Sequence, residues 1–395
     1  MSRTEPVIVG AARTPMGRLT GALGALPATD LGARAIAAAL DGCGVPAQRV
    51  EQVVMGQVLQ AGQGQITARQ AAVAAGIGMD VPAITLNKVC LSGLAALREA
   101  DRLIRLGEAE VVVAGGMESM TGAPHLIPGS RAGYRLGHGT LIDALIHDGL
   151  WCAFDEQHMG ATSDAVNARL GITRQAQDAW AARSHARAAA AWDEGRFAGE
   201  VVPVEAPARR GQTTTVARDE GVRSDTTAEG LARLSPAFAA EGTITAGNSS
   251  QISDGAAALV VTSRAVADEL GLAPLGRALG YGSVAGPDAT LHHQPADAVR
   301  AAARRADVAA DGLDRYEINE AFAAVALHAT DLLGVDHERV NVNGGAVALG
   351  HPIGCSGARL VVTLLAELAR LGGGRGAASL CGGGGQGEAV ILETA

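Results

Sequence analysis

The chain has 395 residues, a formal net charge of −9, and a composition that is 48% hydrophobic but only 3% aromatic. That length accommodates two or three domains with a sizeable core of Ala, Val, Leu and Ile, and the acidic balance argues against nucleic acid or an anionic membrane as the main partner. The five scattered cysteines, Cys43, Cys90, Cys152, Cys355 and Cys381, include no C-x-x-C pair, which speaks against a disulfide framework or a zinc site and for a reducing compartment.

In chain order, the pattern predicts a strand over 7–9, a helix over 30–40, a strand over 52–55, and a helix over 66–75 stopped by Gly76. The run Ala83-Ile84-Thr85-Leu86 then gives way to Asn87-Lys88-Val89-Cys90-Leu91-Ser92-Gly93. Leu94, Leu97, Ala100 and Ile104 follow at three- and four-residue steps before Gly107, which reads as a strand, a tight turn and a helix. Cys90 therefore lies at a helix N-terminus, where free amides and the macrodipole favour a thiolate; a small buried hydrophobe is the alternative. Val111-Val112-Val113-Ala114 is the next strand, followed by Gly115-Gly116-Met117-Glu118-Ser119-Met120. Runs apolar on both faces indicate strands covered on both sides by helices, an α/β layer in which ligands gather at strand ends beside helix N-termini.

From about 121 to 247 the alternation breaks down into Gly, Pro, His and Tyr loops, a polar helix over 173–192, and a segment bearing Arg209, Arg210, Arg218 and Arg223. This reads as a long insertion forming a substrate lid, or as an oligomerisation or spacer element. A strand over 256–262 resumes the sheet, and the remainder repeats the opening in outline. Strands are predicted over 277–280, 316–318, 377–381 and 389–392, and helices over 296–306, 320–333 and 354–371. The expected division is 1–122 plus 252–273 for one half, 123–251 for the insertion, and 274–395 for the other half. Each half then contributes strand-to-helix turns to one shared cleft.

Three turns of the second half carry chemistry. Asn319-Glu320-Ala321-Phe322 opens a helix directly after a strand. Gly350-His351-Pro352-Ile353-Gly354 constrains a histidine between Gly and Pro, so that its ring can be held in one direction. Cys381-Gly382-Gly383-Gly384-Gly385 places a second thiol at a strand end, beside glycines whose N–H groups can approach a ligand. Taken singly, these could be a capping asparagine, a loop histidine and a buried cysteine. Together with Cys90 they supply a nucleophile, a base, a second thiol and exposed donors, the inventory for acyl transfer through a covalent thioester.

Across essentially its full length the sequence resembles the thiolase family. The match is carried by Asn87-Lys88-Val89-Cys90-Leu91-Ser92-Gly93, Gly115-Gly116-Met117-Glu118, Asn319-Glu320-Ala321-Phe322, Gly350-His351-Pro352-Ile353-Gly354 and Cys381-Gly382-Gly383, in that order. The resemblance implies a thiolase fold, in which two similar α/β halves form a layered α-β-α-β-α core with a long loop-domain insertion. It further implies that Cys90 accepts the acyl group, His351 activates it, and Cys381 moves the proton at the α-carbon. Asn319 would hold a water that forms one oxyanion hole with His351, and the N–H groups of Cys90 and Gly383 would form the other. Coenzyme A would be held by His158, Met159, Arg223, Phe238, Ala246, Ser250 and Phe322. No metal or bound redox cofactor is implied, coenzyme A being part of the substrates.

Asn87-Lys88-Val89-Cys90 and His158-Met159 are typical of the branch that joins two acetyl-CoA molecules into acetoacetyl-CoA and CoA. Thr290-Leu291-His292-His293-Gln294 replaces a Met-Gly-x-Gly-Pro-like stretch of that branch and favours the other reading, a degradative 3-ketoacyl-CoA thiolase of fatty-acid β-oxidation. A noncatalytic acyl-CoA-binding protein of the same fold is the third, and the intact set Cys90, Asn319, His351 and Cys381 argues against it. Cys355 stands where many relatives have Ala, and Gly230 where some have Ser. The loop from 124 to 141 occupies the place where relatives form dimers of dimers, so a homotetramer is expected, with a dimer as the alternative. The polar stretch 1–6, the lack of a peroxisomal ending, and the lack of any apolar run of ~18 residues predict a cytoplasmic protein without a membrane span.

Overall fold

Strands buried along their whole length need cover on both faces, and this chain has several. In the computed structural model, which describes residues 4–208 and 211–394, two main sheets are built from nine strands, with the two-residue strand Gly17–Arg18 pairing onto the first. The first sheet holds β1 (Pro6–Arg13), β2 (Gln52–Gly56), β3 (Ala83–Leu86), β4 (Val111–Ser119) and β5 (Ser253–Ser263). The second holds β6 (Arg277–Ala285), β7 (Arg315–Ile318), β8 (Gly374–Gly382) and β9 (Gln386–Thr394). Their spatial orders, β1-β5-β4-β2-β3 and β6-β9-β8-β7, correspond position by position. In both, the second strand of the order runs antiparallel to its two neighbours, and the third and fourth run parallel. The fifth position, a full strand in the first sheet, survives in the second as a single parallel bridge between Tyr316 and Val340.

Eight longer helices accompany these sheets. They are α1 (Ala28–Cys43), α2 (Thr67–Ala74), α3 (Ser92–Leu106), α4 (Met159–Leu170), α5 (Arg174–Asp193), α6 (Gln294–Ala306), α7 (Ala323–Leu333) and α8 (Ser356–Arg370). The pair α1 and α2 covers the outer face of the first sheet, and α6 with α7 the outer side of the second. Between the sheets lie α3 and α8, which touch both of them and each other, so the layers run α-β-α-β-α as expected. The stop of α3 is the predicted one: Gly107 adopts φ 72° and its N–H returns to the carbonyls of Ile104 and Leu103.

The two inner helices meet backbone to backbone. A Cβ on Gly93 would lie 2.7 Å from the Ala358 nitrogen, and one on Gly357 would lie 2.4 Å from the Leu94 nitrogen. Both helices begin at the same end of the sandwich, so the turns that precede them, carrying Cys90 and His351, are brought together.

Three details differ from the sequence pattern. α7 begins at Ala323 rather than at 320, because Phe322 is extended (φ −134°, ψ 147°) and pairs with Ser249 of the insertion. α4 was not expected. Its buried side is Gly160, Ser163, Asp164, Val166 and Asn167, a mostly polar set with no apolar periodicity to read. The insertion is also more ordered than its loop-rich composition suggests: besides the expected helix α5 it holds short strand pairs such as Trp151–Cys152 with Gln157–His158. Arg209 and Arg210 of the predicted arginine-bearing segment lie outside the described residues. Among the described residues no helix is long and apolar enough to cross a membrane.

Gly357→Ala should destabilise the protein by about 1–3 kcal/mol through overpacking. Gly42→Ala on α1, where a Cβ meets nothing within 4 Å, should be neutral or stabilising by up to ~1 kcal/mol. Urea unfolding of the two variants against the parent checks both; equal midpoints would remove the close helix contact from the account.

Candidate active site

Cys90 sits in a turn that its neighbours hold tightly. The Val89 N–H donates to Asn87 Oδ1 at 2.9 Å, the Lys88 N–H donates to Ser92 Oγ at 2.8 Å, and Ser92 Oγ donates to the Val89 carbonyl at 2.6 Å. These contacts hold Val89 at φ 50°, a costly conformation for a β-branched residue, immediately before the thiol.

His351 comes from the turn between the short helix Ala346–Leu349 and α8. Gly350 takes φ 116°, ψ 163°, and a Cβ there would lie 2.5 Å from Ser253 Oγ, so only glycine fits. The His351 N–H is fixed by Ser253 Oγ and the Gln251 carbonyl at 3.1 and 3.2 Å. Ser356 decides the tautomer. Its hydroxyl hydrogen goes to the Pro352 carbonyl at 2.9 Å, so its oxygen accepts from His351 Nδ1–H at 2.5 Å. Nε2 is left with a lone pair, 3.4 Å from Asn319 Nδ2. Asn319 Oδ1 is buried and has no hydrogen-bond partner among the described residues.

Cys381 is the last residue but one of β8, opposite Gly387 of β9, and enters from the second sheet. Glu118 ties the His351 turn to the segment that follows β2: its carboxylate accepts the N–H groups of Val58, Leu59 and Gly354 at 3.0, 3.1 and 3.0 Å. Burial pushes that carboxyl up to about 7, with the three amides pulling the other way.

One cavity of about 490 Å³ is lined by Cys90, His351, Cys381 and Gly383, and equally by His158, Met159, Arg223, Phe238, Ala246, Ser250 and Phe322. Asn319 lies behind it, against His351. Every site residue predicted from the sequence thus converges on one place. This wall is built on rings: His158 stacks on Phe238 with centroids 4.5 Å apart, and Phe238 meets Phe322 edge-on at 6.1 Å. Gly160 permits that stack, since a Cβ on it would lie 2.3 Å from the Phe238 ring. His158 also caps α4, its Nδ1 accepting from the Gly160 N–H at 3.0 Å, and the wall is tied down where the Arg223 N–H donates to His185 Nδ1 at 3.2 Å.

The electrostatics correct one expectation. The helix N-terminus was expected to favour a Cys90 thiolate; burial instead pushes the thiol up to about 12. The N–H groups of Cys90 and Gly383 oppose that shift, the Glu118 carboxylate adds to it, and desolvation outweighs the favourable amides. Cys381 is pushed up further, by burial first and then by the nearby Cys90 sulfur. His351 goes the other way, to about 3, because burial and then Arg359 disfavour its cation. At neutral pH both thiols hold their protons and the imidazole is free to accept one.

Models of the thiolase N-terminal and C-terminal domains match residues 6–265 and 272–394. The chain belongs to the thiolase family. It is 57% identical over 386 residues to a protein of Mycolicibacterium smegmatis described as a probable acetyl-CoA acetyltransferase, covering 98% of this chain and 100% of that one. It is 49% identical over 388 residues to an acetyl-CoA acetyltransferase of Pseudomonas aeruginosa, covering 98% of this chain and 99% of the other. The crystal structure of the Bacillus anthracis acetyl-CoA acetyltransferase superposes with a TM-score of 0.96 at 40% identity, over 99% of both chains.

Several residues in and behind this thiolase's cavity escaped the sequence pattern. Ser356, which sets the His351 tautomer, could have been noticed as a hydroxyl one turn beyond the histidine. Arg18, a second cation on the cavity wall, sits in the unremarkable stretch Gly17–Arg18, and Leu150 is apolar wall without any signal of its own.

If burial governs the nucleophile, iodoacetamide alkylation of Cys90 in a His351→Asn variant, which lacks the proton acceptor, should rise about tenfold per pH unit from 7 to 10. The sign follows from a thiol raised to about 12, whose anion grows throughout that range. Mass spectrometry of acid-quenched samples reads the rate; a plateau near the ordinary thiol value of ~8.5 would show an unperturbed thiol.

Proposed function

We propose that this thiolase is an acetyl-CoA C-acetyltransferase, which reversibly condenses two acetyl-CoA molecules into acetoacetyl-CoA and CoA through an acetyl group carried on Cys90. The observation that carries this reading is the meeting of two protonated thiols and a neutral imidazole, with its Nε2 unprotonated, at one apolar cavity. The names of the full-length relatives support it.

Because both thiols rest protonated, each gives up its proton before it acts, and this orders the steps. His351 Nε2 takes the Cys90 proton as the sulfur attacks the acetyl carbonyl, and the N–H groups of Cys90 and Gly383 receive the oxyanion. When the intermediate collapses, the departing CoA thiolate takes the Cys381 proton, leaving acetyl-Cys90, a Cys381 thiolate and a His351 imidazolium. In the second half-reaction that thiolate removes the α-proton of a second acetyl-CoA. Its enolate oxygen is held by the imidazolium N–H and by a water on Asn319, whose Oδ1 has no other partner among the described residues. The enolate carbon attacks acetyl-Cys90, and the expelled Cys90 sulfur takes back its proton from His351. Every proton is then home, and the α-proton has replaced the one that left with CoA. Preorganised donors of this kind are worth ~3–4 kcal/mol each.

His158, Met159, Phe238, Ala246, Ser250 and Phe322 are proposed to hold the pantetheine and acyl parts of coenzyme A, and Arg223 its phosphate or adenine end. Residues 123–251 act as the coenzyme A-binding and oligomerisation domain, between halves formed by 1–122 with 252–273 and by 274–395. Exposed Ile127, Tyr134, Leu136 and Leu141 in the 124–141 loop support a homotetramer, with a dimer as the alternative. We place the protein in the cytoplasm. A degradative 3-ketoacyl-CoA thiolase is the second reading, favoured by the wall around Leu291, which packs with Phe322 and Cys381 where relatives carry a different stretch.

Mixing with acetyl-CoA should add one acetyl group to Cys90 in intact-mass measurement. Cys381→Ser should still acquire it, more slowly, while condensation falls by ~10²–10⁴-fold. Loss of both would reverse the assignment of the two thiols, and no adduct on the parent would favour a mere acyl-CoA binder. Faster thiolysis of a medium-chain 3-ketoacyl-CoA than of acetoacetyl-CoA would favour the degradative reading.

A further inference from the structure

Of the 32 basic side chains in this protein, Lys88 alone is a lysine, and it lies two residues before the nucleophile. It is part of the Cys90 turn itself: the Leu91 N–H donates to its carbonyl at 3.2 Å, and its own N–H donates to Ser92 Oγ at 2.8 Å. Its side chain leaves that turn for the other half of the molecule. Nζ donates to Ser283 Oγ of β6 at 3.1 Å and pairs with Glu388 Oε2 of β9 at 3.3 Å. The other oxygen of Glu388 accepts from Arg98 Nη1 of α3 at 3.2 Å. One buried carboxylate thus holds the helix and the turn that carry Cys90, by two separate cations.

The same carboxylate is fixed to the second thiol. Glu388 stands opposite Ser283 on one side and opposite Leu380 on the other, and Leu380 precedes Cys381. Ser283, Glu388 and Leu380 are therefore successive rungs across β6, β9 and β8. The ladder fixes Glu388 relative to Cys381, and the ion pairs fix Cys90 relative to Glu388. No other described ion pair links the Cys90 turn to the second sheet.

We infer that Lys88, through Glu388 and Ser283, is a positioning residue that sets the separation of the two thiols. The inference rests on the two-thiol reading of the reaction. A compact ammonium suits the place, since it takes one carboxylate oxygen and leaves the other to Arg98. The consequence is selective. Exchange of acetyl between acetyl-CoA and free CoA uses Cys381 only to pass a proton to the CoA sulfur, a thiolate that can leave before it is protonated, whereas cleavage of acetoacetyl-CoA needs Cys381 within reach of the α-carbon as its bond to acetyl-Cys90 breaks.

The test compares two rates in one preparation: exchange of isotopically labelled CoA into acetyl-CoA, and CoA-dependent cleavage of acetoacetyl-CoA. In the parent protein both must run; absence of either sinks the functional reading, not this one. Lys88→Met should lower cleavage by about tenfold or more while exchange stays within about threefold, because a misplacement of ~1 Å at reacting groups costs up to ~10²-fold. Lys88→Arg, which keeps a charged bridge, should return the ratio most of the way to the parent's. Equal losses in both reactions, no loss in either, or an Arg variant no better than Met would overturn the inference. If Lys88→Met gives no soluble protein, Ser283→Ala, which removes one contact of the ammonium and keeps the charges balanced, decides in its place. It should lower cleavage more than exchange, and an equal effect on both overturns the proposal.

Discussion

The contact between α3 and α8 is what the remaining structure depends on. Two glycines at the crossing let the main chains approach where any side chain would collide with an amide nitrogen. Held at that distance, two helices fit as a single layer between two sheets, and their starting turns come to lie side by side. One turn brings a sulfur, the other an imidazole, and the second sheet brings its own sulfur to the same opening. A chain that is 48% hydrophobic and only 3% aromatic suits this plan, because thin layers of Ala, Val and Leu leave no room for rings in the middle.

Close layering also sets the chemistry. Cys90, Cys381 and His351 are all nearly excluded from water, and each is driven towards its uncharged form. The resting site therefore carries no net charge on its reacting groups. Charge arises only when substrate arrives, next to amides and a protonated ring already pointing at it, so little reorganisation is needed. This reverses the common picture of a cysteine enzyme resting as a thiolate–imidazolium pair. It also suits a thioester, which reacts readily with a sulfur nucleophile and demands its greatest help later, at the enolate.

Much of this was legible in the residues. The strand, turn and helix around Cys90 showed themselves through the 83–86 run, the periodic leucines and alanines, and Gly107, because local apolar spacing and a stop signal survive into the fold unchanged. The cluster of Cys90, Asn319, His351 and Cys381 was readable because each sits at a strand end or helix start with little conformational choice. What escaped was set by tertiary surroundings. α4 buries Ser163, Asp164 and Asn167, and its polar hidden face gives no apolar rhythm. The start of α7 was displaced because Phe322 prefers a bridge with Ser249. The state of the Cys90 thiol was misjudged because a helix end is visible in sequence, whereas the depth of burial that outweighs it is not.

The single bridge between Tyr316 and Val340 makes the two halves mechanically unlike. Upstream of Cys90 a regular strand, β3, runs to within a few residues of the sulfur, so its carrier is anchored by repeated main-chain bonds. Upstream of His351 there is one rung and then a turn and a short helix, Ala346–Leu349, pinned by side chains. Glu320 accepts Trp180 Nε1, Ser184 Oγ, Asn341 Nδ2 and the Val347 N–H, and Gln251 Nε2 reaches the carbonyls of Val347 and Ala348. Pins of that sort come loose one at a time, whereas a ladder resists as a unit. On warming, the proton carrier would drift before the acyl carrier does, and activity would fade while the tertiary scaffold still stood.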